Sequence, residues 1–192
     1  QYSRNSVVGD SAALRTFGND NVAMGFKALN ANTSGSQHVA VGSRALERTT
    51  ATYPNTAVGY FSMDSITSGF ANTALGSFSL SANKTGFNNV AVGNAAMFES
   101  TAGNNNTAVG NDAGRFIGGN QNTAIGSAAL RNDSIGVDNV AVGYQASFAA
   151  DTASLTIAIG RNAMFYNLKS ENTAVGANAG WTGNFNPTLT SL

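Results

Sequence analysis

Short apolar runs recur along this chain at a fixed spacing, each closed by a glycine. The phrase Asn-Thr-Ala-Val-Gly and its variants place that glycine at Gly9, Gly25, Gly42, Gly59, Gly76, Gly93, Gly110, Gly126, Gly143, Gly160 and Gly176. The eleven copies are 16 or 17 residues apart. The residue before the glycine is always aliphatic or Met, from Val8 and Met24 to Ile159 and Val175. Two before it stands Ala in ten copies, with Val7 the exception, and three before it stand Thr, Val, Ser or Ile. Asn occupies the fourth place back in nine copies, at Asn5, Asn21, Asn55, Asn72, Asn89, Asn106, Asn122, Asn139 and Asn172, and is replaced by His38 and Thr156. Three after the glycine comes Ala or Ser, and four after it often Leu or Met, as in Leu29, Met63 and Leu130. A second glycine lies seven before it in seven copies, among them Gly18, Gly69 and Gly136.

This period is too short for helical repeats, which need about 33 residues or more. It suits one coil of a parallel β-solenoid. Thr-Ala-Val between Asn and Gly reads as a short strand bounded by turns. The Ala-Leu segment after the glycine reads as a second, weaker strand, and the variable stretch that follows, such as 30–37, as an outer loop. The fold expected is all-β: a parallel β-solenoid, or β-roll, of eleven 16–17-residue coils over residues 1–180, with 181–192 as a C-terminal tail. Coils about 4.8 Å apart give a rod of roughly 50 Å. Asn at one fixed corner predicts a ladder of stacked amides, with His38 as a substitute rung.

The faces of the strand carry the next inference. Side chains alternate, so the residues one and three before the glycine share a face and the alanine points the other way. Both faces are largely apolar, as in strands covered on both sides. One face lines the narrow coil interior, and the other requires a partner. Ordering a coil costs roughly 25 kcal/mol at about 1.5 per residue, while one buried Val or Leu returns about 1.5–3 kcal/mol. A homo-oligomer cored on the aliphatic row follows, with two and three chains equally compatible. Repeat arrays need polar terminal caps, and the motif starts at Asn5. That start predicts either a segment of a longer fibre or end-to-end stacking.

The repeated phrase Asn-Thr-Ala-Val-Gly-x-x-Ala-Leu, with a later glycine before the next Asn, resembles two related groups. One is the head of YadA-like trimeric autotransporter adhesins, whose repeats carry Asn-Ser-Val-Ala-Ile-Gly. The other is the repeat region of phage tail fibre proteins, often found ahead of an endosialidase-type chaperone domain. The resemblance covers about residues 5–180, although adhesin coils are typically shorter. It implies a left-handed β-roll, three chains around one axis, and an adhesive or spacer fibre outside the cell. Such a homotrimer would attach to cell-surface glycan or protein.

Composition excludes more than it suggests. Ten basic and ten acidic residues make up only 10% of the chain, against roughly 25% in ordinary domains. No basic stripe invites nucleic acid. No stretch approaches the ~20 apolar residues of a membrane span. Without cysteine and with one histidine, disulfides, thiolate metal sites and most histidine-based triads have no residues to use. No catalytic residue, cofactor or metal is expected. Asp133 and Asp138 share a loop, where a solvated role outweighs a cation site. Gly118-Gly119 reads as a turn rather than a phosphate loop.

Aromatic residues are the candidates for binding. Phe26, Tyr60 and Tyr144 follow the motif glycine, Phe61 and Phe78 come one further on, and Phe98, Phe148, Phe165 and Trp181 come five after it. Phe70 and Phe87 sit six before the next glycine. Tyr60, Phe61, Phe78 and Tyr144 are candidate glycan contacts, against the plainer expectation that stacked rings seal the loops. Two other readings are a self-assembling extracellular filament and an ice-binding solenoid. The second would use Thr56, Thr73, Thr107, Thr123 and Thr173, a row broken by Val90, Val140 and Ile157.

Overall fold

A computed structural model describes residues 4–166 and 169–181. Eleven three-residue strands run from β1 (Ser6–Val8), β2 (Val22–Met24) and β3 (Val39–Val41) through β4 (Thr56–Val58), β5 (Thr73–Leu75), β6 (Val90–Val92), β7 (Thr107–Val109) and β8 (Thr123–Ile125) to β9 (Val140–Val142), β10 (Ile157–Ile159) and β11 (Thr173–Val175). They form one parallel sheet in sequence order. Every pair is in register, so Ala57 stands beside Ala74 and Val58 beside Leu75. The protein is therefore an all-β solenoid of about ten turns, without a helix among the described residues. Ten steps of ~4.8 Å make a sheet about 48 Å long. The expected tail beyond residue 181 lies outside the described residues.

The strand alanines point inward. Ala23, Ala40, Ala57, Ala74, Ala91, Ala108, Ala124, Ala141, Ala158 and Ala174 have no exposed surface. Facing them are the buried residues three and four after each glycine, such as Ala45 and Leu46, Ala96 and Met97, or Ala129 and Leu130. Alanine suits a coil this narrow, whose interior Leu or Met fills from four after the glycine in seven coils. In the seventh coil Gly114 stands where those seven carry Leu or Met, and the side chain of Ile117 occupies the space a Cβ there would need.

The Ala-Leu segment is not a second strand. In every coil the residue two after the glycine has φ between 53° and 61°, as at Arg44 and Ala95, and the residue four after it is also at positive φ, as at Leu46 and Met97. A strand needs negative φ throughout. The reversals break the pleat yet keep bonding between coils: Leu29 N–H donates to Ala45 O at 2.9 Å and Lys27 N–H to Asp10 O at 3.0 Å. Those inter-coil bonds offset a left-handed conformation that costs a non-glycine residue roughly 1–2 kcal/mol. Nothing in Leu or Met signals it, since both are ordinary right-handed residues elsewhere.

At the corner glycines the geometry leaves no alternative. Gly110 has φ of 137°, and a Cβ on it would sit 2.7 Å from the carbonyl of Gly126 in the next coil.

Candidate functional site

Three features stand out along the rod: a buried asparagine column, an exposed apolar sheet face, and columns of aromatic rings around the turn.

The asparagines occupy the inner corner before each strand. From Asn21 onward they are buried. From Asn5 to Asn139 each Oδ1 accepts the backbone N–H of the rung in the next coil: Asn5 from Asn21 at 2.9 Å, Asn55 from Asn72 at 3.0 Å, Asn72 from Asn89 at 2.9 Å, Asn89 from Asn106 at 2.9 Å, and Asn106 from Asn122 at 2.8 Å. Amide-to-amide bonds of 3.1 Å join Asn5 with Asn21, Asn55 with Asn72, and Asn72 with Asn89. Each Nδ2 also donates across the coil end, as Asn89 does to Gly103 O at 2.7 Å and Asn122 to Gly136 O at 2.8 Å. The ladder is thus mainly side chain to backbone, and it satisfies buried peptide groups that the sheet leaves over. Asn172 closes on Lys169 O at 2.9 Å.

His38 and Thr156 show what a substitute rung must do. The imidazole Nδ1 accepts Asn55 N–H at 3.1 Å, and Nε2 donates to Ala51 O at 3.0 Å. Accepting at Nδ1 sets the neutral Nε2–H tautomer. The ring therefore reproduces one acceptor and one donor of Asn. Burial holds its pKa below the ordinary value, while the bond to Ala51 pulls the other way. Thr156 donates both its N–H and its Oγ1–H to Asn139 Oδ1, at 3.0 and 2.8 Å.

Asp133 is buried, whereas Asp138 is exposed. The Asp133 carboxylate accepts Gly136 N–H at 2.7 Å and Asn139 Nδ2–H at 2.9 Å. Burial pushes its pKa up to about 6; the two hydrogen bonds pull it down, and Asp151 adds a smaller upward push. The loop pair therefore does not converge on a cation. Among the described residues, no three His, Asp or Glu side chains gather in a way that could hold a metal. No helix there is long and apolar enough to cross a membrane.

A longer period, which the single-coil reading misses, is visible at the interior position seven after the glycine. Asn32, Asn83 and Asp133 share one phase there, Thr49, Ser100 and Ala150 the next, and Ile66 and Ile117 the third. All eight are buried. Asn32 and Asp133 do the same work three residues ahead, since Asn32 Oδ1 accepts Gly35 N–H at 2.8 Å. From the second coil to the ninth the interior position thus alternates Asn or Asp, a small residue and Ile, with Asn32 and Asp133 bonding the turn; in the first coil Thr16 stands in the Ile phase.

The outward face of the sheet carries an aliphatic row directly before the glycines and, two residues earlier, a mixed row of Val, Ile, Thr and Ser. Directly before the glycines, Leu75 is 49% exposed, Ile125 41% and Ile159 39%. Two residues earlier, Val90 and Ile157 are also exposed and Thr56, Thr107 and Thr123 half-buried. These rows run the length of the eleven strands, and none of the described residues folds over them.

Of the four aromatic candidates, three come together. Tyr60 contacts Phe61 and Phe78 edge-on at 4.5 and 5.4 Å between ring centres, and Phe61 stacks on Phe78 at 5.7 Å. Tyr144 lies five coils further along, roughly 24 Å at the sheet spacing. Phe70 stacks on Phe87 at 5.1 Å, and Phe148, Phe165 and Trp181 stack in sequence at 4.9 and 4.8 Å. Stacked rings cover each other's faces and turn their edges outward. Arginines interleave: Arg131 lies over Phe116 and Phe148, each at 5.7 Å.

No protein-family model, curated protein or solved structure matches this chain. The functional reading therefore rests on the geometry and the repeat.

Proposed function

We propose that the chain is a rigid structural and adhesive segment of an extracellular fibre, built as a homotrimer of parallel solenoids. The observation that carries it is the uncovered apolar face, continuous over eleven strands. Hiding the remaining surface of one half-exposed Val, Leu or Ile gains ~1 kcal/mol, about half of a full burial. Eleven such rungs supply on the order of 10 kcal/mol per chain, enough to exceed much of the cost of association. Parallel chains around one axis bring the same rows together at every level, as closed rotational symmetry allows. Three chains is the number implied by the repeat's likeness to adhesin heads and tail fibres. The same likeness supports a place outside the cell, as a surface adhesin or virion fibre that attaches to cells or spaces other domains.

The role is mechanical rather than catalytic in this reading. His38 and Asp133 are both engaged by backbone hydrogen bonds inside the coil. The Thr row that an ice-binding face would use lies on the same outward surface, but Val90, Val140 and Ile157 interrupt it, which favours packing over a water lattice. Sedimentation or native mass measurement tests the proposal. Replacing Val92 and Val109 by Lys places two charges on the face and should yield monomers that retain the β-type circular dichroism. A wild-type chain that is monomeric at tens of micromolar would refute it.

A further inference from the structure

The column of side chains two residues after the motif glycine runs Arg44, Phe61, Phe78 and then Ala95, on successive coils. Their backbones are alike, with φ of 61°, 54°, 58° and 53°. Arg44 lies over Phe61 at 5.0 Å and Phe61 stacks on Phe78. Where the next ring would continue, Ala95 leaves a cavity of about 170 Å³ lined by Phe78, Ala95, Phe98 and Arg115. Phe78 and Phe98 meet edge-on, 5.9 Å apart and 89° between planes. The stacking that hides ring faces elsewhere is interrupted here.

The polar side of this notch is ordered. The Arg115 guanidinium lies over Phe98 at 5.1 Å. Its Nε and Nη2 donate to Glu99 Oε1 at 3.3 and 3.2 Å, and its Nη1 donates to Asp112 Oδ1 at 3.2 Å. Two of its five N–H groups have no described partner, and neither do Glu99 Oε2 and Asp112 Oδ2. A corner of one ring's face and the other's edge, beside the Arg115 donors and the two carboxylates they hold, matches a molecule with one C–H face and a rim of hydroxyls. The cavity is smaller than the ~300 Å³ and upward of drug-sized pockets, so it suits one ring. One arginine against two carboxylates leaves the rim net negative, which disfavours acidic sugars.

We propose that this notch is a binding site for a single neutral hexopyranose unit, the sugar's C–H face seated in the corner between Phe78 and Phe98 and its hydroxyls on Arg115 and the carboxylates it holds, Glu99 and Asp112. It goes beyond the fibre reading and does not depend on the number of chains. The decisive variant is Ala95→Phe. Phe61 and Phe78 occupy the same conformation, so the backbone accepts a ring at this position, and the ring would fill the notch.

The experiment is saturation-transfer NMR on the whole protein with the methyl glycosides of glucose, galactose and mannose, and methyl glucuronide as the charged control. At least one neutral glycoside should bind, with transfer strongest to one face of its ring, and the glucuronide should not. Ala95→Phe should abolish that signal while leaving the native mass unchanged. Phe98→Leu, which keeps bulk and removes the ring face, should weaken binding about tenfold, the loss of ~1.4 kcal/mol. Failure of every neutral glycoside, or binding that survives Ala95→Phe, would overturn the proposal. So would a change of native mass in Ala95→Phe, because the notch would then hold a side chain of a neighbouring copy. A monomeric wild type that still binds sugar would refute the trimer and leave this site standing.

Discussion

Removing one rung from the middle of the asparagine column tests the energetics of the coil directly. In Asn89→Ala, Asn106 N–H loses its acceptor at 2.9 Å and Gly103 O its donor at 2.7 Å. Both residues are buried. Asn72 Oδ1 also loses the side-chain half of its bond to residue 89. An orphaned buried polar group costs about 1–3 kcal/mol, so the two together cost about 2–6 kcal/mol. Asn94→Ala is the matched control: Asn94 is exposed and its one donated bond, to Ser77 O, is long at 3.4 Å. A surface change of that kind stays within about 0.5 kcal/mol. Asn89→Asp separates the two roles. It keeps the acceptor for Asn106 but sets a carboxylate oxygen against Gly103 O, and should cost at least as much as Ala. Urea titration followed by far-ultraviolet circular dichroism gives each loss. A cost for Asn89→Ala no larger than for Asn94→Ala would refute the idea that these asparagines stabilise the coil by satisfying buried backbone.

Three further expectations concern single positions. Asp133→Asn removes a carboxyl whose pKa is raised by about two units, a gain of up to about 3 kcal/mol at pH 7, less the Asn139 Nδ2–H bond at 2.9 Å that an amide NH2 cannot accept. The wild-type carboxyl has a folded pKa raised from 3.8 to about 6. Its contribution is therefore full below pH 3.8 and lost as pH rises through 6, a slope that Asp133→Asn should remove. His38 has the opposite sign: its folded pKa is lowered, so stability should fall as pH drops below about 6.5, and His38→Asn, measured by the same titration between pH 7 and 5, should abolish that fall. Gly110→Ala should cost at least roughly 1–3 kcal/mol from left-handed strain alone, read as a drop in unfolding midpoint. A neutral result there would contradict the close approach of successive coils.

The strands, their register and the identity of the buried corner were legible because each rests on strict alternation or on a residue type suited to one place. Asn and Ala stand two residues apart and point inward, while the residue between them and the Val after Ala point outward, so the inward and outward rows follow from the strand period. The turn was not legible. Leu46 and Met97 sit at positive φ because inter-coil hydrogen bonds hold them there, and side-chain type carries no trace of that. The ladder's chemistry was half legible: a column of amides was expected, but its main bond is to backbone, which only the stagger of the coils determines. The three-coil period was open to inspection in Asn32, Asn83 and Asp133, and a reading coil by coil passes over it. Among the aromatic candidates, spacing brought Tyr60, Phe61 and Phe78 onto neighbouring coils and left Tyr144 apart. The notch beside Phe98 arises from the absence of a ring at Ala95, and a search for aromatic residues does not look for a missing one.

The central claim is that the outward aliphatic rows are buried between copies of the chain. Native mass spectrometry of the purified protein at micromolar concentration tests it most directly. The account predicts one species at three times the 19.6 kDa chain mass, converted to single chains by Val92→Lys with Val109→Lys. A stable, folded species at the mass of one chain would contradict it, because the aliphatic row before the glycines would then stand in water.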